Sequence, residues 1–118
     1  MRSAIDVLPP DAAARMSAFR RALERALPAG IDAVVLFGSQ ARGDADQDSD
    51  YDVAVLLRGD LARRSDIRDK VADVAFEHVV AGYPLIPVPL PEDYLQPVGG
   101  RYRTELARRI ACEGALVP

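Results

Sequence analysis

Two periods of apolar residues alternate along the chain. Met16, Phe19, Leu23 and Leu27 recur at three- and four-residue steps, with Arg15, Arg20, Arg21, Glu24 and Arg25 between them. That spacing predicts a helix with one apolar stripe. Pro9 and Pro10 suit its opening, because a first helical turn has no use for the missing N–H. Asp11 suits the positive end of the helix dipole. Pro28 and Gly30 close it. Ile31 to Phe37 (IDAVVLF) is an unbroken apolar run between breakers and predicts a buried strand. Gly38 to Ser49 is polar and turn-rich. Tyr51 to Leu57 (YDVAVLL) predicts a second strand, closed by Arg58-Gly59-Asp60. The helical period returns from Leu61 to about Ala81, with the stripe Ile67, Val71, Val74, Ala75, His78 and Val79, and Gly82 stops it. Pro84 to Leu90 is extended, but its prolines remove ladder donors, so it predicts an edge strand. After a loop from Pro91 to Gly100, a last helix is expected over Tyr102 to Glu113. Leu106, Ala107 and Ile110 face inward, and Gly114 serves as the C-terminal cap. Helices alternating with short strands place the fold in the α/β (α+β) class, a small sheet covered by helices.

Composition narrows this picture. At 118 residues the chain has the size of one domain, and residues 1–118 are expected to form it. A hydrophobic fraction of 49% and a charged fraction of 28% are ordinary for a soluble globular protein. A net charge of -3 provides no global field for nucleic acid or membrane, so neither is expected as a direct partner. Cys112 stands alone, which excludes an internal disulfide and a cysteine zinc cluster. Met1 to Pro10 lacks a signal-peptide apolar run, and no stretch approaches the ~18 apolar residues of a membrane span. A cytoplasmic location is expected.

The chemistry is concentrated in Leu36 to Leu57, LFGSQARGDADQDSDYDVAVLL. A buried strand ends at Phe37 and the chain turns at Gly38, where a glycine leaves room for a ligand close to the backbone. Ser39, Gln40 and Ala41 can begin a helical turn whose first N–H groups have no internal partner. Those donors, with the Ser39 hydroxyl, suit phosphate oxygens, and Arg42 adds a charge that does not titrate. Its bland alternative is an ion pair with Asp44, Asp46 or Asp48. Asp50 and Asp52 lie two residues apart, roughly 6.6 Å along a strand and on one face. Such a pair can hold Mg²⁺, which takes one or two carboxylates plus substrate phosphates. Acids are poor strand formers, so two of them ahead of VAVLL point to a site rather than to solvated decoration. A phosphate turn and a carboxylate pair on neighbouring strands suit metal-assisted nucleotidyl transfer.

Gly38-Ser39-Gln40-Ala41-Arg42-Gly43 followed by Asp48-Ser49-Asp50-Tyr51-Asp52 resembles the DNA-polymerase-beta-like nucleotidyltransferase superfamily. More narrowly it resembles the minimal nucleotidyltransferase family, as does the closing Glu113-Gly114. The resemblance implies the small mixed sheet of the nucleotidyltransferase fold, with Asp50 and Asp52 as catalytic and metal-binding residues and Gly38, Ser39 and Arg42 on the nucleotide. It further implies Mg²⁺, ATP as substrate, and an antitoxin role in hetero-oligomers with a HEPN toxin, to which AMP is transferred. One departure stands out. Superfamily members generally supply a third carboxylate from a later strand, but Leu85 to Leu90 carries no acid, and Glu92 and Asp93 lie past its end. The alternative is therefore a catalytically weak or inactive domain that neutralises its toxin by binding. Transfer to a small molecule ranks third, because relatives of that kind grip the acceptor with a second domain.

Other residues carry blander expectations. Asp44, Asp46 and Asp48 read as turn formers, and His78 as a hydrogen-bonded, partly buried histidine. Cys112 reads as a small packed residue. Arg101, Arg103, Arg108 and Arg109 read as a solvated helix face. Tyr94 and Tyr102 read as loop packing.

Overall fold

The two unbroken apolar runs form the centre of a sheet, and everything else is arranged around them. The computed structural model describes residues 1–118. Its strands are β1 (Arg2–Ser3), β2 (Ile31–Phe37), β3 (Tyr51–Leu57), β4 (Leu85–Pro91) and β5 (Ala115–Leu116). Its helices are α1 (Pro10–Ala26), α2 (Ser39–Arg42), α3 (Ser65–Val80) and α4 (Glu105–Glu113). The sheet order is β1-β5-β2-β3-β4. β2 runs antiparallel to β3 and β5, whereas β3–β4 and β1–β5 are parallel. The α/β class and the mixed sheet are as expected.

Alternation along the strands divides the core in two. Val34, Leu36, Val53, Val55 and Leu57 join the α1 stripe and the inner face of α3 in the larger cluster. Val35, Phe37, Ala54, Leu56 and Leu90 face the other way and meet Ile110 of α4. Met16, Phe19, Leu23 and Leu27 are all buried, as the stripe requires.

β4 is an edge strand, and its prolines explain why. Pro87, Pro89 and Pro91 have no N–H, so the donors toward β3 come from Ile86, Val88 and Leu90. Each missing donor then falls on the free edge, which makes that edge a poor template for strand addition.

Several expectations are corrected. β1 and β5 were not expected; each is two residues long, too short to show a period. The second long helix does not begin at Leu61: Leu61–Arg63 is a 3₁₀ turn, Arg64 is extended, and α3 proper starts at Ser65. Val79 of its expected stripe is exposed. α4 starts at Glu105 rather than Tyr102, because the Thr104 hydroxyl accepts from the Ala107 N–H at 3.0 Å and caps it there. Gly114 does cap α4, its N–H bonded to the Ile110 carbonyl at 2.9 Å, but its backbone is extended (φ -63°) and not left-handed. A Cβ there would collide with the Ile110 carbonyl and lie 2.6 Å from Val35 Cγ1, so glycine lets the chain leave α4 pressed against β2. No helix is long and apolar enough to cross a membrane.

Candidate functional site

The site is assembled where β2 ends and β3 begins. Phe37 and Asp52 are directly paired across the antiparallel ladder. Gly38, one residue beyond, has φ 76° and ψ -157°, a backbone region open essentially to glycine alone. A Cβ there would fall inside the contact shell of Asp52 Oδ2. The Asp52 carboxylate is thus packed against the Gly38 backbone.

α2 follows at once. The Gly38 carbonyl accepts from the Ala41 and Arg42 N–H groups at 3.1 and 3.0 Å. The amides of Ser39 and Gln40 remain without a partner, so two donors and the Ser39 hydroxyl are left for a ligand. The Gln40 side chain donates to the Ser49 carbonyl at 3.3 Å and ties this turn to the segment leading into Asp50. Asp46 organises that segment: its carboxylate accepts from the Asp48 N–H at 2.9 Å and the Ser49 hydroxyl at 3.2 Å. Asp44 pairs with Arg42 instead.

Asp50 lies just ahead of β3 and is exposed, while Asp52 is half-buried within it. Burial, and then the charge of Asp50, raise the Asp52 carboxyl above its ordinary range; Arg109 and Arg42 pull it back down. A cation between the two carboxylates would offset the repulsion that Asp50 exerts on Asp52. Two carboxylates beside this turn are a hard-oxygen donor set of the kind that could hold Mg²⁺ together with substrate phosphates. The chain has no cluster of three or more His, Cys, Asp or Glu that could hold a metal by itself.

Arg42 does not stand free. Its Nε reaches Asp44 Oδ2 and its Nη1 reaches Glu113 Oε2, both at 3.2 Å. Glu113 also faces Arg109, with Nε–Oε1 at 3.9 Å. Arg2 donates to the carbonyls of Ala41 (3.0 Å) and Glu113 (2.7 Å) and lashes α2 to the end of α4. Sequence reasoning missed Arg2, Arg109 and Glu113 as parts of this rim. They lie far from the motif along the chain, and Arg109 looked like one more solvated arginine. Only the helical step of four from Arg109 to Glu113 could have linked two of them.

The position beside Asp52 on β4 is Ile86, in parallel register and 44% exposed. No third carboxylate stands there. Glu92 does not reach back: its carboxylate accepts from the Gly59 N–H at 2.8 Å, at the far end of β3. The largest cleft, about 470 Å³, lies at that far end too, between Gly59–Arg63 and Pro91–Asp93. Gly38, Asp50 and Asp52 line none of the clefts and form an open rim. His78 is buried against the edge of Phe19, with ring centroids 5.5 Å apart, and its Nδ1 has no partner. The hydrogen bond expected of the His78 side chain is not made.

A model of the nucleotidyltransferase domain family matches residues 16–111. Over 40 residues, 34% of this chain, the sequence is 45% identical to a Methanocaldococcus jannaschii protein provisionally named a protein adenylyltransferase. The matched stretch spans 40% of that relative. The fold is similar to the crystal structure of a protein from Sulfolobus solfataricus provisionally named a nucleotidyltransferase. The TM-score is 0.62 at 19% identity, covering 98% of this chain and 86% of that one.

Proposed function

The chain belongs to the nucleotidyltransferase domain family, and from that premise we propose a Mg²⁺-dependent transferase that moves AMP from ATP to a hydroxyl of a partner protein. The observation that carries this reading is the packing of the Asp52 carboxylate against Gly38, with Asp50 alongside. Ser39 and the free amides of the turn would hold the outer phosphates, with Arg42 beside them. Asp50 and Asp52 would hold the metal, which supplies charge neutralisation at the transferred phosphate. The acceptor oxygen bonds to the α-phosphorus as the bond to the bridging oxygen breaks and pyrophosphate leaves. The hydroxyl proton passes to water, which reaches the exposed Asp50. An open rim suits an acceptor carried on another macromolecule, and the M. jannaschii relative's name points the same way. The resemblance of the motif to minimal nucleotidyltransferases extends the proposal to an antitoxin role, with a HEPN toxin as the acceptor.

Radiolabel from α-labelled ATP, incubated with the wild-type protein and such a partner, is expected on the partner. Asp52→Ala is expected to lower the labelling rate at least ~100-fold, on the scale of losing a group that stabilises transition-state charge. Equal labelling by wild type and variant would sink the mechanism.

Ile86 beside Asp52 favours a second reading, in which the domain neutralises its partner by binding and turns nucleotide over weakly or not at all. In that case an Asp50→Ala, Asp52→Ala double variant still protects cells from the toxin. If transfer is the protective act, the double variant gives no protection.

A further inference from the structure

Arg109 lies outside the motif, yet its guanidinium and that of Arg42 approach the same carboxylate. They come from different helices, and their distances to Glu113 are 3.9 and 3.2 Å. Glu113 is only 23% exposed in its side chain, and its own carbonyl is gripped by Arg2 at 2.7 Å. The anchor toward which both arginines point is therefore fixed to the end of α4. Since Arg2 also holds the Ala41 carbonyl, that anchor is fixed to the phosphate turn as well.

The neighbouring arginine shows what is unusual. Arg108 is clamped by Glu105 one turn back, a local helical pair on the outer face. Arg109 is less committed. Its single ion pair, at 3.9 Å, is longer than a hydrogen bond, so its N–H groups keep capacity for a stronger acceptor. A guanidinium that presents several donors in a planar fork, held loosely on the carboxylate that also holds Arg42 of α2, suits bidentate capture of a phosphate.

We propose that Arg109 is a second arginine contact for the outer phosphates of the bound triphosphate, and that Glu113 positions Arg42 and Arg109 for it. The inference rests on the triphosphate reading above and adds a residue from outside the motif. On this reading the end of α4 completes the nucleotide site, and the path from Glu105 to Gly114 has a role beyond covering the sheet.

The experiment is equilibrium binding of Mg²⁺·ATP, with Mg²⁺·tripolyphosphate as competitor, to the wild type and to Arg109→Gln, Arg109→Lys and Arg108→Gln. Arg109→Gln is expected to weaken ATP and tripolyphosphate alike, each about tenfold, because the lost contact is to phosphate and not to the base. Arg109→Lys is expected to recover part of that loss, and Arg108→Gln to bind as the wild type does. The proposal is overturned if Arg109→Gln binds ATP normally. It is also overturned if that variant loses ATP but keeps tripolyphosphate, or if Arg108→Gln loses as much, which would mark a diffuse charge effect. Failure of the wild type to bind either ligand would instead sink the triphosphate reading itself, a different result from failure at Arg109 alone.

Discussion

At the scale of single residues, Gly38 and Asp52 cannot be considered apart. Gly38 combines a backbone conformation that side chains rarely adopt with a neighbour that leaves no room for one. Gly38→Ala is therefore expected to cost about 1–3 kcal/mol for the strained backbone alone, read by urea denaturation. It is also expected to displace the Asp52 carboxylate and so weaken nucleotide binding. A variant as stable as the wild type would contradict this packing. Asp52 itself is held at a cost to the fold. Its carboxyl is raised mainly by burial and then by Asp50, so the folded state binds a proton more readily than the unfolded one. The contribution of this one group is complete below the ordinary value of 3.8 and is lost as pH rises through the raised folded value. Asp52→Asn is expected to be the more stable protein at neutral pH, by no more than ~1 kcal/mol given the screening of a half-exposed group. Below pH 3.8 it should have no advantage. Melting curves at neutral and acidic pH check both halves. The Gly-Ser turn and the Asp pair were legible in the sequence because each residue type is unusual where it stands. Arg109, Glu113 and Arg2 were not, because their roles arise from a meeting of the chain's two ends that no local pattern announces.

At the scale of elements, hydrophobic period carried most of the fold. α1, β2, β3 and the edge character of β4 follow from stripes, apolar runs and proline positions. The late starts of α3 and α4 are local, set by a 3₁₀ turn and by the Thr104 cap, but in the other misses tertiary contact decided the outcome. β1 and β5 exist because they pair with each other and with β2. The reason for Gly114 is the nearness of β2, which a helix-ending rule read along one chain segment could not supply. α3 shows the same limit at His78. The stripe placed it correctly on the buried face, but its Nδ1 is left unpaired beside Phe19. Burial and then the charge of Arg15 lower its pKa below the ordinary 6.5, while Glu77 opposes them, so the folded state keeps it neutral. That contribution is complete above pH 6.5 and is lost as pH falls below it, because the unfolded chain takes up the proton first. His78→Leu is expected to stabilise the protein by about 1 kcal/mol, the order of cost of an unpaired buried polar atom. It should also flatten the loss of stability between neutral and mildly acidic pH. A thermal shift series across that range reads both effects, and a less stable variant with an unchanged pH slope would contradict the account.

At the scale of the whole molecule, the sheet separates two tasks. One face is sealed by α1 and α3 around the larger cluster and carries the stability. The other carries the smaller cluster under α4 and, on the same alternation, turns Asp52 outward at the end of β3. The site is therefore a rim and not a cavity, made where β2, β3, α2 and the end of α4 come together. The central claim is that the turn at Gly38-Ser39 and the acids at Asp50 and Asp52 bind one triphosphate–metal complex between them. It is tested most directly by measuring ATP affinity with Mg²⁺ and with a chelator, in the wild type and in Asp52→Asn. The account predicts that Mg²⁺ strengthens binding to the wild type, that Asp52→Asn abolishes this gain, and that without metal the variant binds ATP at least as well, because a repelling charge is gone. ATP binding that ignores both the metal and the substitution would contradict it.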